Sequence, residues 1–543
     1  MKKNSRTIII SLIIGLIIAF CYEIGARIGA DGIKRLPNTE IYLRIVCKSL
    51  LYGGLIFMSW TVLPVLIKKG KCKKYFEKLN CFLQKADDHR LSAYCFILFF
   101  MAAWLPAFLA IFPGAFAYDA PTEWQQFVTG QINTHHPVLH TLLIGIFLEA
   151  GNYWGSYNLG IASYTIFQML VMSAVFSYAI SFLRRYKVSV VLRLFAVLFW
   201  GFSPVVHLFV VSSTKDTLFS GVLLLFILNL ADFGCKTEEF LKNRSRKILF
   251  AVSAFLTMTL RNNGFYIVLI TFALMLITAS MRKRLLPLII CILIPYIVYV
   301  GPVYRIIGVE KGEICEMLSV PLQQMARTYM YNYDNLERKD IELLESIVPK
   351  EDLLNYIPTL ADPVKRNFRE DIFKENLSQF FLLWIKWGIQ NPNTYVQAFL
   401  VNTSGYWYPH AIINGYDASE GRTQTDYSRY SVGAPGKRVE MLPSVYELYR
   451  ALSEERSASE APMIFLLISP GWYLLMTLYI CAGFWNNRRK EFLLPSCAVF
   501  AAEITALLGP VVQVRYVLIL FFAFPVMLSL TTLTVRDDKT KSL

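Results

Sequence analysis

The sequence predicts an all-α polytopic membrane protein with about twelve transmembrane helices. Of its 543 residues, 55% are hydrophobic and 15% are aromatic, and the mean hydropathy of +0.44 is too high for a soluble protein. Several apolar runs reach the roughly 18 to 20 residues that cross a bilayer as a helix. Clusters of Lys and Arg recur between these runs, and they indicate the direction of each crossing because cytoplasmic loops are enriched in positive charge.

The net charge of +15 does not indicate a nucleic-acid partner, because much of it falls in short loops between spans. We place all of the basic clusters in the cytoplasm: residues 2–6, 68–78, 184–187, 236–247, 282–284, 488–490 and 536–541. An even number of crossings must then separate successive clusters. Both termini are therefore expected inside, and membrane lipid is an expected partner of the spans.

This topology divides the chain into four regions. They are two N-terminal spans with a basic cytoplasmic loop, a transmembrane core, a mainly helical external segment, and the C-terminal spans with a cytoplasmic tail, at residues 1–90, 91–303, 304–461 and 462–543. The first region crosses outward at residues 7–26 and returns at about 46–67. The external segment follows an outward span at residues 285–303, and the span 462–485 returns.

The core opens with an outward span, residues 91–111, and a large outer loop, residues 112–142. Pro121 suits the first turn of a helix and Gly130 suits its C-terminal stop. Pro137 then opens a second helix. We expect two short helices that lie at the membrane interface and carry the polar residues of this loop.

The span 161–183 returns to the cytoplasm, and three apolar hairpins share one pattern. Each begins and ends on a basic cluster, and polar residues mark its outer turn; the hairpins cover residues 188–232, 248–280 and 492–534. The first arm of the second hairpin has only about 13 residues, or roughly 20 Å. Its tip is expected below the outer membrane surface, in a cavity lined by protein.

The external segment has a mixed composition. Residues 340–347 and 371–389 are predicted to be helices, and residues 416–443, rich in Gly, Ser, Asp and Arg, to be a loop. The aromatic residues 405–409 have two possible roles. They could rest on the membrane interface, or they could stack on a sugar ring.

Ionisable residues beside membrane spans are costly and usually functional, which makes Asp119 the best candidate for a catalytic base. A carboxylate at a membrane exit can take a proton from an acceptor hydroxyl. Asp119 could also serve only as the N-cap of the helix that contains Pro121. Glu123, one turn later, belongs either to a solvated face or to an orienting contact.

His135 and His136 immediately precede Pro137, so backbone N–H groups and the positive end of a helix dipole lie nearby. This position suits an anion and favours neutral imidazole. Ligation of a divalent metal by the pair with Asp119 is possible, but two adjacent histidines are not a specific signal for it.

Lys215, Arg261 and Arg515 are three cations at the tips of the three hairpins. One phosphate group at the outer leaflet would explain them together, because Lys and Arg bind phosphate through charge-assisted hydrogen bonds. Each could instead extend to the membrane interface on its own. Asp216 could neutralise its neighbour Lys215.

These residues carry a resemblance. Asp119 early in the first outer loop, followed by His135-His136-Pro137-Val138-Leu139, resembles the first external loop of the GT-C superfamily of multi-pass membrane glycosyltransferases, whose motif there is HPPL-like. Arg515-Tyr516 resembles the late RY of several of its families. The combination of Phe112-Pro113-Gly114, Tyr118-Asp119, Lys215-Asp216-Thr217 and Arg261-Asn262-Asn263-Gly264 looks closer still to an uncharacterised group of bacterial membrane proteins, over most of residues 91–534.

The resemblance implies a GT-C-like fold and an enzyme that transfers a hexose or pentose from a polyprenyl phosphate-linked sugar. The acceptor would be a cell-envelope glycan, polymer or protein on the outer face of a bacterial plasma membrane. Asp119 would be catalytic. The implied substrate-binding residues are Glu123, His135, His136, Lys215, Asp216, Arg261, Asn262, Asn263, Arg515 and Tyr516.

Two departures from the superfamily pattern concern the metal and the histidine motif. Ala120 follows Asp119 where some GT-C enzymes have a second acidic residue, so a metal site built on two adjacent acidic residues is not indicated. The motif reads HPVL instead of HPPL. Two other functions stay open: a transporter or flippase of a lipid-linked glycan, and a glycan polymerase or ligase.

The topology can be tested by labelling single cysteines in intact cells. We expect a cysteine at Asp340 to react with a membrane-impermeant maleimide, and one at Lys74 to react only after the membrane is permeabilised. Protection at Asp340 together with labelling at Lys74 would contradict the assignment of the two faces.

Overall fold

A computed structural model describes residues 2–29, 32–33, 39–62, 64, 93–278, 282–411, 433–453 and 465–533. This part of the chain is helical, apart from loops and one pair of two-residue antiparallel strands, β1 (Ile28–Gly29) and β2 (Gly32–Ile33). The basic loop expected at residues 68–78, most of the predicted loop 416–443 and the basic tail 536–541 lie outside the described residues.

Helices long and apolar enough to cross a membrane are fewer than the sequence predicts. Six qualify by length and composition within the described part of the chain, or seven if one bent pair counts as a single span. The six are Ser5–Gly25, Thr39–Thr61, Ala93–Ala110, Tyr157–Arg185, Lys215–Cys235 and Arg282–Ile307. Three further apolar helices have 10 to 17 residues: Val138–Tyr153, Asn262–Thr278 and Val514–Leu530.

Two N-terminal helices, α1 (Lys2–Gly25) and α2 (Thr39–Thr61), pack against each other. Their backbones approach closely at Gly15, where a Cβ atom would lie 2.5 Å from the amide of Gly53. Small residues allow such approaches between membrane helices. Helix α2 begins before the predicted residue 46, and its first turns contain an i, i+4 ion pair between Glu40 and Arg44 at 2.5 Å.

The two helices predicted within and after residues 112–142 are present, with a helix on either side of them. The helices are α3 (Ala93–Ala110), α4 (Ala120–Thr129), α5 (Val138–Tyr153) and α6 (Tyr157–Arg185). Pro121 lies in the first turn of α4, and Gly130 ends it with a left-handed φ of 71°. Pro137 is the N-cap of α5.

The first hairpin consists of α7 (Val190–Phe202), α8 (Pro204–Val210) and α9 (Lys215–Cys235). The first arm bends by 54° between α7 and α8. Ser203 is extended at this point, with φ −64° and ψ 127°, because a residue that precedes a proline avoids the helical region. A short helix, α10 (Thr237–Lys242), follows the hairpin.

The second hairpin is α11 (Arg244–Leu260) and α12 (Asn262–Thr278), with only Arg261 between them. Helix α11 has 17 residues, and it contains the predicted apolar arm of about 13 residues together with residues 244–247 of the basic cluster. The helix begins earlier than the apolar run because Asn243 caps it by accepting a hydrogen bond from the amide of Arg246.

Helix α13 (Arg282–Val298) continues through a π-helical turn (Tyr299–Val303) into α14 (Tyr304–Ile307). The next segment forms a separate apolar core around Leu322, Leu344, Phe380 and Trp387. Its helices are α15 (Ser319–Asn332), α16 (Arg338–Ile347), α17 (Lys350–Leu354), α18 (Asp362–Lys365), α19 (Glu370–Glu375), α20 (Leu377–Gln390) and α21 (Pro392–Trp407).

The predicted helix at residues 340–347 is confirmed within α16, but the one at 371–389 is divided. It breaks between α19 and α20 at Asn376, whose side chain donates a hydrogen bond to the Ile372 carbonyl at 2.9 Å. Such bonds compete with the helical pattern. The described part of the predicted loop 416–443 is non-helical until Pro443 begins α22 (Pro443–Ser453).

The aromatic residues 405–409 do not form an exposed aromatic surface. Tyr406 is 1% exposed and Trp407 is 8% exposed, and Trp407 packs against Ile24 and Ile41 of the N-terminal hairpin. Tyr406 donates a hydrogen bond to the carbonyl of Val511 at 3.2 Å. Both rings are therefore buried within the protein, and the two roles expected for them are wrong.

The last helices of the described part of the chain are α23 (Phe465–Ile468), α24 (Pro470–Asn486), α25 (Leu493–Leu507) and α26 (Leu518–Leu530). Helices α25 and α26 are the arms of the third hairpin. Residues 508–517 between them form its tip, and a 3-10 turn (Val514–Val517) leads into α26.

Backbone hydrogen bonds join the outer loop to the tip of the first hairpin. The amide of Ala115 donates to the carbonyl of Val211 at 2.8 Å, and the amide of Ser213 donates to the carbonyl of Ala115 at 2.9 Å. The preceding Gly114 has a φ of 129°. A Cβ atom there would lie 2.2 Å from the hydroxyl oxygen of Thr165.

We predict that Gly114→Ala lowers the stability of the folded protein, because backbone strain of about 1–3 kcal/mol would be added to this steric clash. Gly155→Ala is a matched control, since Gly155 also has a positive φ, 84°, but nothing lies within 4 Å of the added carbon. Thermal unfolding in detergent should show the larger loss for Gly114→Ala. Equal losses would mean that the contact with Thr165 relaxes freely.

Candidate functional site

Asp119 lies at the N-cap position of α4, but its side chain makes no capping hydrogen bond. One carboxylate oxygen is 2.5 Å from the ammonium of Lys215 and 2.8 Å from the guanidinium of Arg515. A second guanidinium nitrogen of Arg515 reaches the other oxygen at 3.4 Å. The interpretation of Asp119 as a cap alone is therefore wrong, and the carboxylate joins two hairpin tips.

Lys215 is the first residue of α9, and Thr214 caps this helix by accepting a hydrogen bond from the amide of Asp216. The ammonium of Lys215 donates a hydrogen bond to Nδ1 of His136 at 3.2 Å and lies 3.7 Å from a carboxylate oxygen of Glu123. Lys215 thus contacts three polar side chains of the outer loop, including Asp119.

The Arg515 guanidinium packs against two tyrosine rings and donates hydrogen bonds to polar side chains. Its guanidinium carbon lies 4.5 Å from the ring centroid of Tyr118 and 4.8 Å from that of Tyr516, and its Nε donates a hydrogen bond to Gln513. Tyr118 adopts an unusual φ of 58° immediately before Asp119. Strained backbone of this kind clusters at functional sites.

Arg261 reaches the site through Asp216. Its guanidinium lies 3.1 Å from one carboxylate oxygen of Asp216, and Arg515 lies 3.6 Å from the other. The guanidinium also packs 4.5 Å from the ring centroid of Tyr516. The three hairpin tips therefore meet at two carboxylates, Asp119 and Asp216.

The three cations are nine-tenths or more buried, so extension to the membrane interface does not explain them. Each is paired with a carboxylate inside the protein, which means that a bound phosphate is not needed to offset their burial. Asp216 forms its direct ion pairs with Arg261 and Arg515. Its charge also acts on its chain neighbour Lys215, although less strongly than the charges of Asp119 and Glu123 do.

Glu123 is 1% exposed, so its assignment to a solvated face is wrong. Burial raises the pKa of Glu123, but His140 and Lys215 outweigh it and hold the pKa below its usual value. At Asp119 burial also raises the pKa, and Arg515 and Lys215 hold it well below the usual value. Both carboxyl groups are ionised at neutral pH.

His136 is buried and its imidazole is neutral, as its position before α5 suggests. Burial together with the Lys215 ammonium lowers the pKa of His136 to about 4. His135 is exposed, and its ring centroid lies 4.5 Å from that of His136. His135 thus borders the cluster without joining its ion pairs.

Asn262 and Asn263 also lie at the edge of the ion-pair cluster. The side chain of Asn262 donates a hydrogen bond to the carbonyl of Thr134 at 2.9 Å, which links the second hairpin to the outer loop. Asn263, the next residue along the chain, is half-buried. Neither is part of the ion-pair cluster in the described structure.

A metal ion shared by Asp119 and the two histidines does not fit this geometry, because the Lys215 ammonium lies between Asp119 and His136. Within the described residues, His, Cys, Asp and Glu side chains approach closely enough to hold a metal only at Glu313, Cys315 and Glu316. That group lies within residues 304–461, away from the ion-pair cluster in sequence.

Sequence reasoning missed several residues of the site. His140 lies in the first turn of the apolar helix α5, and an ionisable residue at such a position was an available signal. Its Nδ1 lies 2.7 Å from Glu123 and its Nε2 lies 2.7 Å from the hydroxyl of Tyr164. Glu503, an ionisable residue in an apolar helix, was also detectable by the rule that such residues are usually functional.

Comparison with known proteins gives a family. A profile described as a family of unknown function, DUF6020, matches residues 129–542, which is more than half of the chain. The chain belongs to the DUF6020 family. The DUF6020 match includes Lys215, Arg261 and Arg515 and begins after Asp119 and Glu123. No curated protein and no solved structure matches the chain.

The lowered pKa of His136 predicts how stability depends on pH. His136 in the unfolded chain becomes protonated below its ordinary pKa of 6.5. In the folded protein the same imidazole stays neutral until about pH 4. Folded stability should therefore fall on acidification, by about 2 kcal/mol at pH 5 from this residue. His136→Gln should lose this part of the pH dependence.

Thermal unfolding at pH 7.5 and pH 5 measures the effect. His410→Gln is a matched control, because His410 is exposed and packs beside Tyr22 away from the cluster. The control should keep the wild-type loss. An undiminished acid sensitivity of His136→Gln would show that His136 is not the group that titrates.

Proposed function

We propose that this protein is an integral-membrane glycosyltransferase of the GT-C type. It would transfer a sugar from a polyprenyl phosphate donor to a cell-surface acceptor on the outer face of a bacterial plasma membrane. About twelve crossings, including shorter helices such as α12, would place both termini in the cytoplasm. The observation that supports this best is the Asp119 carboxylate, paired with Lys215 and Arg515 where three hairpin tips meet.

The proposed reaction needs a base and a site for the departing phosphate. The acceptor oxygen forms a bond to the anomeric carbon, and the bond from that carbon to the phosphate oxygen breaks. The acceptor proton passes to Asp119, and the electron pair leaves with polyprenyl phosphate. Lys215 and Arg515 would stabilise the additional negative charge of that phosphate, so no strong general acid is required.

Asp119 cannot be an effective base while both cations hold it, because its pKa is well below the usual value. A donor phosphate offers oxygens of the same kind to Lys215 and Arg515. When these cations move to the phosphate, Asp119 loses the interactions that lower its pKa. Donor binding would thereby convert Asp119 from an ion-pair partner into a base.

The exposure of the carboxylates supports this role for Asp119. Its side chain is 27% exposed, whereas those of Glu123 and Asp216 are 1% and 0% exposed. Asp119 is thus the carboxylate of the cluster that an acceptor can reach. Asp216, held between Arg261 and Arg515, would keep the two arginines in place.

The activity test is transfer of labelled sugar from a polyprenyl phosphate donor by the protein in membranes. We predict that Asp119→Asn slows transfer by about 10² to 10⁴, the usual cost of losing a general base. The variant should bind the donor at least as tightly as the wild type, because the carboxylate that competes with phosphate for both cations is gone.

Asp371→Asn is the matched control, since Asp371 is exposed on α19 of the external segment, and it should leave transfer and binding unchanged. Weakened donor binding by Asp119→Asn would indicate a structural role only. Movement of a lipid-linked glycan across the membrane without covalent change would assign the protein to the transporters and refute the proposal.

A further inference from the structure

A chain of four buried side chains runs from the ion-pair cluster into the helical core. Glu123 lies 2.7 Å from Nδ1 of His140, whose Nε2 lies 2.7 Å from the hydroxyl of Tyr164. The Tyr164 hydroxyl lies 3.1 Å from Oε1 of Gln168. All four residues are 0–1% exposed, so each hydrogen must be accounted for within the protein.

The hydrogen bonds of Gln168 determine the direction of this chain. Its side-chain nitrogen faces three backbone carbonyls at 2.8 to 3.2 Å, those of Phe209, Val210 and Ser212. Only the NH₂ group can donate to carbonyls, so the side-chain oxygen must face Tyr164. Tyr164 donates its single proton to that oxygen. The opposite direction would leave two buried oxygens facing each other without a hydrogen.

The proton positions on His140 follow from this direction. Because the Tyr164 hydroxyl donates to Gln168, it accepts from His140, and Nε2 of His140 carries a proton. Nδ1 faces the carboxyl group of Glu123, and a hydrogen bond there also requires a proton. The ammonium of Lys215, 3.7 Å from Glu123, favours an ionised carboxylate, so the proton belongs on the imidazole.

The charges of the cluster do not cancel once this proton is counted. The Glu123–His140 pair is neutral as a whole, because a carboxylate faces an imidazolium. Three cations then face only two other carboxylates: Lys215, Arg261 and Arg515 against Asp119 and Asp216. One positive charge remains unmatched in a site that is largely buried.

The buried residues His136 and Glu503 also border the cluster, and they do not alter this count. Nδ1 of His136 accepts a hydrogen bond from Lys215, which can only donate, so His136 is not an imidazolium. Glu503 on α25 interacts with Arg261. Its oxygens have no hydrogen-bond partner in the described structure, and an ionised carboxylate buried in that way would be very costly.

We propose that the Glu123–His140 pair holds a proton that gives the site one surplus positive charge, and that this charge selects a singly charged phosphodiester. The glycosyl ester of a polyprenyl phosphate is such an anion. The proposal deepens the function above and rests on it for the identity of the ligand only. Glu123 and His140 are positioning residues, since they act through Lys215.

The proton itself can be observed in the wild-type protein. The chain has six histidines, so ¹⁵N-histidine NMR of the protein in nanodiscs gives a spectrum that single variants can assign. We expect both nitrogens of His140 to carry a proton at neutral pH, as the hydrogen bonds to Glu123 and Tyr164 require. A neutral His140 with one bare nitrogen would overturn the proposal, whatever the outcome of the activity test.

Charge rescue tests the link to the ligand. The probe is labelled farnesyl methyl phosphate, a singly charged lipid phosphodiester, with the protein in phosphatidylcholine nanodiscs. His140→Gln leaves Glu123 ionised and removes the surplus charge, and a charge about 10 Å away changes affinity about tenfold at an effective dielectric constant of about 20. His140→Gln should bind about tenfold more weakly.

The double variant Glu123→Gln/His140→Gln removes both members of the neutral pair and restores the surplus charge. Its affinity should return to within about threefold of the wild type, although it carries one more core substitution. A structural role alone predicts that the double variant is the weaker of the two. His410→Gln, an exposed histidine change, should bind like the wild type.

Competition identifies the source of the phosphodiester. Dimethyl phosphate, which lacks a lipid chain, should compete only at much higher concentration, and phosphatidylglycerol in the nanodisc should not compete. Strong competition by phosphatidylglycerol would assign the charge to an ordinary membrane lipid and refute the selection of a polyprenyl ester. Rescue of binding without any sugar transfer would refute the proposed glycosyltransferase function. It would still support the proposal that a surplus positive charge selects the ligand.

Discussion

The structure around the candidate site depends on one carboxylate that is shared by two cations from distant parts of the chain. Asp119 pairs with Lys215, 96 residues away, and with Arg515, 396 residues away. A buried ion pair becomes strongly destabilising when one partner is removed, because the other charge is left without compensation. The outer loop and two hairpin tips are therefore stable in this arrangement only together, and Asp216 adds the third tip through Arg261.

Hydrogen bonds between uncharged groups hold the outer loop and the hairpin tips close enough for these charged side chains to pair. Ala115 joins the outer loop to the first hairpin, and Gln168 holds the carbonyls that precede Lys215. Tyr406 donates to the carbonyl of Val511 and accepts from the amide of Gln513, two residues before Arg515. Tyr406 lies at the C-terminal end of α21, so the segment of residues 304–461 also supports the hairpin tip that carries Arg515. Preorganisation of this kind lets charged groups act without reorganising at the moment of reaction.

The carboxylates of the site differ in what surrounds them, and this separates their roles. Asp119 is partly exposed and interacts with cations that a ligand could recruit. Glu123 and Asp216 are sealed inside the protein. The same residue type can thus serve as a reactive group at one position and as a fixed counter-charge at another, because solvation and neighbouring charge decide which partners are exchangeable.

The sequence by itself determined the helical membrane character, most helix positions and most of the residues that meet at the site. Apolar runs, prolines such as Pro121 and costly charges such as Arg515 are local signals, and local chemistry is sufficient to interpret them. Only the tertiary structure decided which carboxylate pairs with which cation. It alone also showed that Tyr406 is buried and that His140 contacts the carboxyl group of Glu123. Those outcomes depend on contacts between side chains 17 to 396 residues apart, and hydrophobic periodicity carries no information about such contacts.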